Sequence, residues 1–102
     1  MYRASDRLKN ERWIATLQRA AEELELGGEA RSTAEDLFLS DVPETDRSKR
    51  AAIAASLYAA GLITGDRRSQ GAVAGAVGVT RLTVQKRWKP LLEEAGLKPP
   101  TW

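Results

Sequence analysis

The side chains best suited to binding chemistry lie between Arg67 and Lys89. This stretch holds six Lys or Arg residues and no Asp or Glu, with Thr and Gln residues between them. Guanidinium and ammonium groups bind phosphate oxygens, and a glutamine amide can pair with an adenine edge. The composition therefore favours a nucleic acid as the ligand.

Other kinds of chemistry lack the side chains they need. The chain has no Cys and no His, which excludes zinc ribbons, zinc fingers, disulfide frameworks and catalysis by either residue. No glycine-rich phosphate loop follows a predicted strand. The carboxylates are interpreted as solvated helix faces rather than a buried catalytic pair: Glu22, Glu23, Glu25, Glu35 and Asp36. We expect no enzyme, no metal and no cofactor.

The spacing of small and apolar residues predicts a helix-turn-helix at about residues 69–89. Gly78 lies four residues after Ala74 and six before Val84. A small residue in the first helix lets the second cross close above it, and a glycine in the turn can adopt a positive φ. An apolar residue in the second helix then fills the gap between the two.

The second helix of this motif is expected to present a polar face to solvent. Thr80 is a good N-cap, and Val84, Trp88 and Leu91 are predicted to point inward. The opposite face then carries six residues: Thr80, Arg81, Leu82, Gln85, Lys86 and Lys89. Such a face suits a groove that is lined with base edges and phosphates.

Charge is distributed unevenly along the chain, although the net charge is only +2. From Ala20 to Asp46 there are nine acidic residues and one basic residue, whereas Arg67 to Lys89 carries a net charge of +6. The basic part attracts phosphates, and the acidic part repels them and so fixes which face approaches DNA. We interpret the acidic part as a solvated surface.

Length and composition indicate one helical domain over residues 1–102. The chain has 42% hydrophobic and 29% charged residues, which is typical of a globular protein, and its many alanines favour helices over strands. No apolar run approaches the ~20 residues of a membrane span, and the N-terminus lacks the apolar centre of a signal peptide. We expect a soluble intracellular protein with no membrane partner.

Apolar spacing predicts three helices before the helix-turn-helix: Ser5 to Leu26, Glu29 to Leu39, and a third that starts with Asp46 or Ser48 as its cap and ends near Ile63. Gly27-Gly28 is expected to end the first. The third is so rich in alanine that it is expected at the centre of a bundle. After the motif, Pro90 predicts a kink near Lys89, then a turn of helix that Gly96 ends, and an irregular tail to Trp102.

Residues 49–92 closely resemble the last three helices of a cyclin-like repeat of transcription factor IIB and its archaeal counterpart, transcription factor B. The matching positions are Arg67 or Arg68, Gln70, Val73, Ala74, Gly78, Val79, Thr80, Thr83, Val84, Trp88 and Lys89. The sequence departs from the family pattern at Trp88, where tyrosine is common, and at Pro90. The resemblance implies an all-α, five-helix cyclin-like bundle that ends in a helix-turn-helix formed by its fourth and fifth helices.

In that family, the second repeat places its helix-turn-helix in the major groove beside the TATA box. Carried over by resemblance, the base-reading positions are Leu82, Gln85 and Arg81. The positions expected on the DNA backbone are Arg67, Arg68, Gln70, Thr80, Thr83, Lys86 and Lys89. The resemblance also implies partners, namely double-stranded promoter DNA and the TATA-binding protein, and a place on the nucleoid in the archaeal cytoplasm.

The expected function is that of a one-repeat DNA-binding regulator or accessory of transcription initiation. The chain has no zinc ribbon and room for one repeat, and we expect a stand-alone protein rather than an excised repeat. One repeat offers a small footprint, so a homodimer or a partner protein would strengthen binding. The alternative is a protein-interaction module of the transcription machinery with little DNA specificity.

Overall fold

The computed structural model describes residues 8–97. Within this range the chain forms no strand and five α-helices: α1 (Glu11–Glu23), α2 (Gly28–Ser40), α3 (Asp46–Thr64), α4 (Gln70–Val77) and α5 (Arg81–Glu94). All five contribute buried residues to one hydrophobic core. The predicted all-α, five-helix bundle is confirmed. Ser5 and Trp102, both discussed above, lie outside the described residues.

Helix α3 is the centre of the bundle, as its composition predicts. Every residue from Ala51 to Leu62 is buried, and α3 packs against each of the other four helices. Its six alanines over this range let the neighbouring backbones approach closely. No helix among residues 8–97 is long and apolar enough to cross a membrane.

Three hydroxyl side chains cap the N-termini of α3, α4 and α5. Thr45, Ser69 and Thr80 accept hydrogen bonds from backbone N–H groups at 3.2, 3.0 and 3.1 Å, respectively. Each such cap stabilises its helix by about 1 kcal/mol. The cap at Thr80 is predicted correctly. The prediction of Asp46 or Ser48 as the cap of α3 is wrong, because the helix begins one residue after Thr45.

The end of α1 differs from the prediction. Asn10 separates the helical residues 8 and 9 from α1, so no continuous helix runs to Leu26. The helix ends at Glu23, and Glu25 takes a left-handed conformation with φ of 57°. Leu26 is buried after this reversal. Gly27 and Gly28 therefore do not end α1; they cap and begin α2.

Helix α5 continues through Pro90 to Glu94. Pro90 removes the hydrogen bond to the Lys86 carbonyl, but both residues are exposed, so water can satisfy that group. Leu92 lies beyond the proline and is fully buried. Burial of Leu92 favours a helix that extends past Pro90. Leu91, which the sequence predicts on the inward face, is half-buried against the core.

Candidate nucleic-acid interface

Helices α4 and α5 form the predicted helix-turn-helix. Gly78 has φ of 88°, and its N–H donates to the Ala74 carbonyl at 2.8 Å. The N–H of Val79 donates to the same carbonyl at 3.0 Å. This pair of bonds ends α4 in a left-handed turn, which a glycine adopts without steric cost. Val84 then fills the gap between the helices and is completely buried.

An aromatic pair joins the motif to the centre of the bundle. The Trp88 ring meets Tyr58 of α3 edge to face, with a centroid distance of 5.4 Å and an interplanar angle of 69°. Edge-to-face pairs contribute beyond their buried area because the ring edge is positive and the ring face negative. The contact fixes the orientation of α5 on α3. Tyr58 is itself buried.

The three predicted base-reading residues lie on the exposed face of α5. Arg81, Leu82 and Gln85 are all exposed, and Leu82 keeps 54% of its surface accessible. They occupy the first five residues of the helix, the part that enters the major groove in helix-turn-helix proteins. The structure thus brings these three side chains together on one accessible surface.

The hydroxyls at the start of α5 keep one donor for a ligand. Thr80 Oγ accepts from the Thr83 N–H, and the two Thr hydroxyl oxygens lie 2.9 Å apart. Only one hydroxyl hydrogen is needed between them. The other can donate to a phosphate oxygen, because a hydroxyl carries one donor and two acceptor sites.

The remaining predicted backbone residues lie on α5 and around the start of α4. Lys86 and Lys89 are exposed, and the Lys89 ammonium lies 5.5 Å from the centroid of the Trp88 ring. Gln70 is half-buried at the first position of α4, and Arg67 is exposed just before it. Within residues 8–97 the Arg67 guanidinium forms no hydrogen bond or ion pair. It is available to a phosphate.

Arg68 differs sharply from Arg67, because its guanidinium is used inside the protein. It donates to the carbonyls of Leu24 at 2.8 Å and Glu25 at 3.0 Å. It also donates to the Arg67 carbonyl at 3.0 Å and forms an ion pair with Asp66 at 2.8 Å. These bonds satisfy the carbonyls of the two residues that follow α1, so the interface proposed below does not include Arg68.

Asp66 completes this junction, which joins the loop after α3 to the end of α1 and the start of α2. Its carboxylate accepts from the Gly27 N–H at 2.7 Å and from Arg68. The Gly27 hydrogen bond, opposed by partial desolvation and supported by the charge of Arg68, lowers the pKa of Asp66 below its usual value. The carboxylate therefore stays ionised where it holds the start of α2.

Sequence reasoning missed the basic residues at the start of α3. Arg47, Lys49 and Arg50 follow directly after the acidic stretch that ends at Asp46. Arg50 donates to the Val77 carbonyl at 3.4 Å, which places it beside the turn of the helix-turn-helix. Three basic residues within positions 47–50 indicate a basic helix start in the sequence, but only the packing shows that they lie near the helix-turn-helix.

The acidic part of the chain is not uniformly solvated. Glu35 retains 9% of its accessible surface, and the Gln18 side-chain amide donates to it at 2.6 Å. The expectation of an exposed Glu35 is wrong, because α2 packs this position towards α1. The other acids in the predicted set are exposed: Glu22, Glu23, Glu25 and Asp36. Among residues 8–97, no group of acidic residues is arranged to hold a metal ion.

Residues 10–94 match the family model described as the transcription factor TFIIB repeat. This chain belongs to that family. The match covers all five helices, including the exposed face of α5 and the junction at Arg68. The resemblance inferred from residues 49–92 is confirmed, and it extends to the first two helices.

Relatives of this TFIIB repeat include archaeal proteins named transcription initiation factor IIB. The Pyrobaculum aerophilum protein is 36% identical over 97 residues, which covers 85% of this chain and 27% of the relative. The Pyrococcus horikoshii protein is 43% identical over 54 residues, covering 53% of this chain and 18% of the relative. The Thermoplasma volcanium factor IIB 1 is 52% identical over 44 residues, covering 43% and 14%. The chain thus spans about a quarter of the first relative's length.

Proposed function

We propose that this TFIIB repeat binds promoter DNA through α5 and acts as a regulator or accessory of transcription initiation. The observation that carries the proposal is the exposed face formed by Arg81, Leu82 and Gln85 on the second helix of a helix-turn-helix. Its membership of the TFIIB repeat family supports a role in transcription.

Each residue of this face has a matching partner in the major groove. The Gln85 amide pairs with the N6 and N7 positions of adenine, and Arg81 suits the two acceptors of guanine. Leu82 packs on a thymine methyl, which would remove its exposed apolar surface from water. Sequence preference arises from these three contacts.

The residues around this face hold the phosphates. They are Arg67, Gln70, Thr80, Thr83, Lys86 and Lys89. Such contacts supply affinity and register, and they carry no sequence information directly. Because one helix-turn-helix covers few base pairs, the TATA-binding protein or a second copy of this chain would add the remaining contact area.

Selection from a random duplex library, with and without the TATA-binding protein and at two salt concentrations, tests the proposal. We expect an enriched motif in which one position loses its preference in Gln85→Ala, at a cost of about 1–3 kcal/mol. Lys86→Ala should weaken binding to every sequence alike and reduce the salt dependence, by about 0.9 in the slope of log affinity against log salt concentration.

Two other results would change the conclusion. Enrichment that requires the TATA-binding protein would make the chain a promoter accessory that reads DNA only within a complex. If neither substitution altered binding to the enriched duplex, α5 would not be the reading helix and the proposal would fail.

The second candidate function is a protein-interaction module, and exposed acids on α2 favour it. Glu29 and Asp36 are both exposed and lie seven residues apart, so they share one face of the helix. A basic partner protein would be attracted to this face. Reversing both charges to Lys should abolish partner binding in this case, whereas Arg81→Ala should leave it intact.

A further inference from the structure

A small pocket lies between the start of α3 and the exposed face of α5. Its volume is about 230 Å³, and six residues line it: Arg47, Ser48, Ala51, Thr83, Lys86 and Arg87. Three of them are cationic, and among residues 8–97 no acidic side chain lines the pocket. Arg47 comes from α3, and the other two cations come from α5, so the pocket depends on the packing of the two helices.

The three cations of this pocket, Arg47, Lys86 and Arg87, form no ion pair across residues 8–97. Like charges that share a site repel each other, and an anion bound among them would relieve that repulsion. The Thr83 hydroxyl and the guanidinium groups are hydrogen-bond donors, which an oxyanion accepts from several directions.

We propose that this pocket binds one phosphate of the DNA backbone, with Arg47 as a ligand from outside the helix-turn-helix. The inference rests on the proposed function and adds residues to the same surface. Lys86 and Thr83 follow the base-reading residues Gln85 and Leu82 directly in sequence. The phosphate in the pocket would therefore lie near the bases read by α5.

Arg47 would hold the bound phosphate against the central helix α3. A phosphate held between α3 and α5 is fixed by the core of the bundle as well as by the reading helix, because α3 is buried along most of its length. Phosphate contacts of this kind set the register of a protein on the duplex. Arg87 borders a second groove that also contains Asp41 and Glu94, so Arg47 is the sharper residue to test.

The test measures affinity for the selected duplex over a salt series with the full chain. Arg47→Gln should weaken binding and reduce the slope of log affinity against log salt concentration by about 0.9, the value for one lost phosphate contact. Arg47→Lys should keep most of the slope. Arg19→Gln is the matched control, because Arg19 is exposed on α1 and outside the pocket. It removes the same charge and should leave the slope unchanged.

Neutralising the phosphates one at a time with methylphosphonate locates the contact. At one position the substitution should weaken the wild-type protein more than it weakens Arg47→Gln, while base preference at the Gln85 position is kept. Equal slopes for Arg47→Gln and Arg19→Gln, with every methylphosphonate affecting both proteins alike, would overturn the pocket while leaving base reading by α5 standing. Failure of the wild type to bind any duplex would overturn both proposals.

A second arm separates the DNA backbone from free oxyanions. Binding is compared in inorganic phosphate and in chloride at equal ionic strength. The wild type should lose the same affinity in both if the pocket recognises a phosphate only on the duplex. A larger loss in phosphate that disappears in Arg47→Gln would assign the pocket to a free oxyanion and overturn the DNA assignment. Thermal unfolding of each variant checks that the fold is kept.

Discussion

Two neighbouring arginines in the loop before α4 show how differently the same side chain can be used. Arg67 is exposed, and its guanidinium forms no bond within the described residues. Arg68 donates to the two carbonyls that follow α1 and to Asp66. A cation is available to a ligand only where the fold leaves no carbonyl or carboxylate acceptor within its reach.

The comparison extends from these residues to the two regions that they represent. Where α1, α2 and α3 meet, Asp66 pairs with Arg68 and accepts a hydrogen bond from Gly27, and these contacts hold the helix ends together. On α5, exposed basic side chains stand on a capped helix with no ion pair within residues 8–97. The first region stabilises the fold, and the second leaves its cations exposed to solvent.

The largest effect is expected from removing the Arg68 side chain. Arg68→Ala leaves the carbonyls of Leu24 and Glu25 without donors, and the free energy of unfolding should fall by about 1.5–3 kcal/mol, as for hydrogen bonds to a charged group. DNA affinity of the folded protein should be unchanged. Urea unfolding and duplex titration measure the two quantities.

Arg67→Ala is the matched variant and should behave in the opposite way. Its stability should equal that of the wild type, and its salt slope in DNA binding should fall by about 0.9. If Arg68→Ala lost DNA affinity without losing stability, the assignment of the two arginines would be reversed, and Arg68 would return to the interface.

A slightly smaller effect on stability is expected from substituting Gly61, a residue of α3 that packs against the backbone of Asp66. A Cβ at this position would meet the Asp66 carbonyl oxygen at 2.8 Å, closer than real Cβ atoms come to a backbone atom. The Gly61 carbonyl also accepts from the Asp66 N–H at 2.9 Å. Gly61→Ala should therefore lower the free energy of unfolding by about 1–3 kcal/mol, the usual cost of overpacking.

Gly75 provides the control outside the junction. It lies inside α4, and a Cβ there would meet nothing within 4 Å. Gly75→Ala should raise the free energy of unfolding by about 0.5–1 kcal/mol, because alanine is the better helix former. Urea unfolding of both variants makes the comparison. Equal effects of the two substitutions would show that the junction can relax around an added methyl group.

The sequence predicts the helix-turn-helix well because its determinants are local. Ala74, Gly78 and Val84 lie within eleven consecutive residues, and the caps Ser69 and Thr80 act on N–H groups three residues away. The central position of α3 follows equally from its own alanine-rich composition. Such features need no knowledge of distant partners.

The role of Arg68 could not be predicted, because its acceptors lie 43 and 44 residues earlier in the chain. The same reason applies to Arg47, whose pocket is completed by α5. The cap of α3 was missed for a different reason. Thr45, Asp46 and Ser48 are all suitable caps, and only the exact start of the helix chooses among them.

The smallest effect is expected from the charge of Asp66, and pH measures it. The pKa of Asp66 is lowered in the folded protein, chiefly by the Gly27 N–H and then by Arg68. A carboxyl with a lowered pKa stabilises the fold above its unfolded value of about 3.9. This stabilisation is lost as the pH falls through the folded pKa. The wild type should therefore exceed Asp66→Asn in stability at neutral pH, and the difference should shrink below about pH 4.

Arg68→Ala separates the two causes of this pKa shift. Because the Gly27 hydrogen bond is the larger cause, most of the acid dependence assigned to Asp66 should persist in the Arg68→Ala background. Urea unfolding between neutral and acidic pH, with and without Asp66→Asn, provides the cycle. Loss of the whole dependence in Arg68→Ala would show that the guanidinium, rather than the N–H of Gly27, holds the carboxylate. In that case the ion pair of Asp66 with Arg68, rather than the Gly27 hydrogen bond, would stabilise the junction. The difference between this region and the exposed cations of α5 would then depend on that one ion pair.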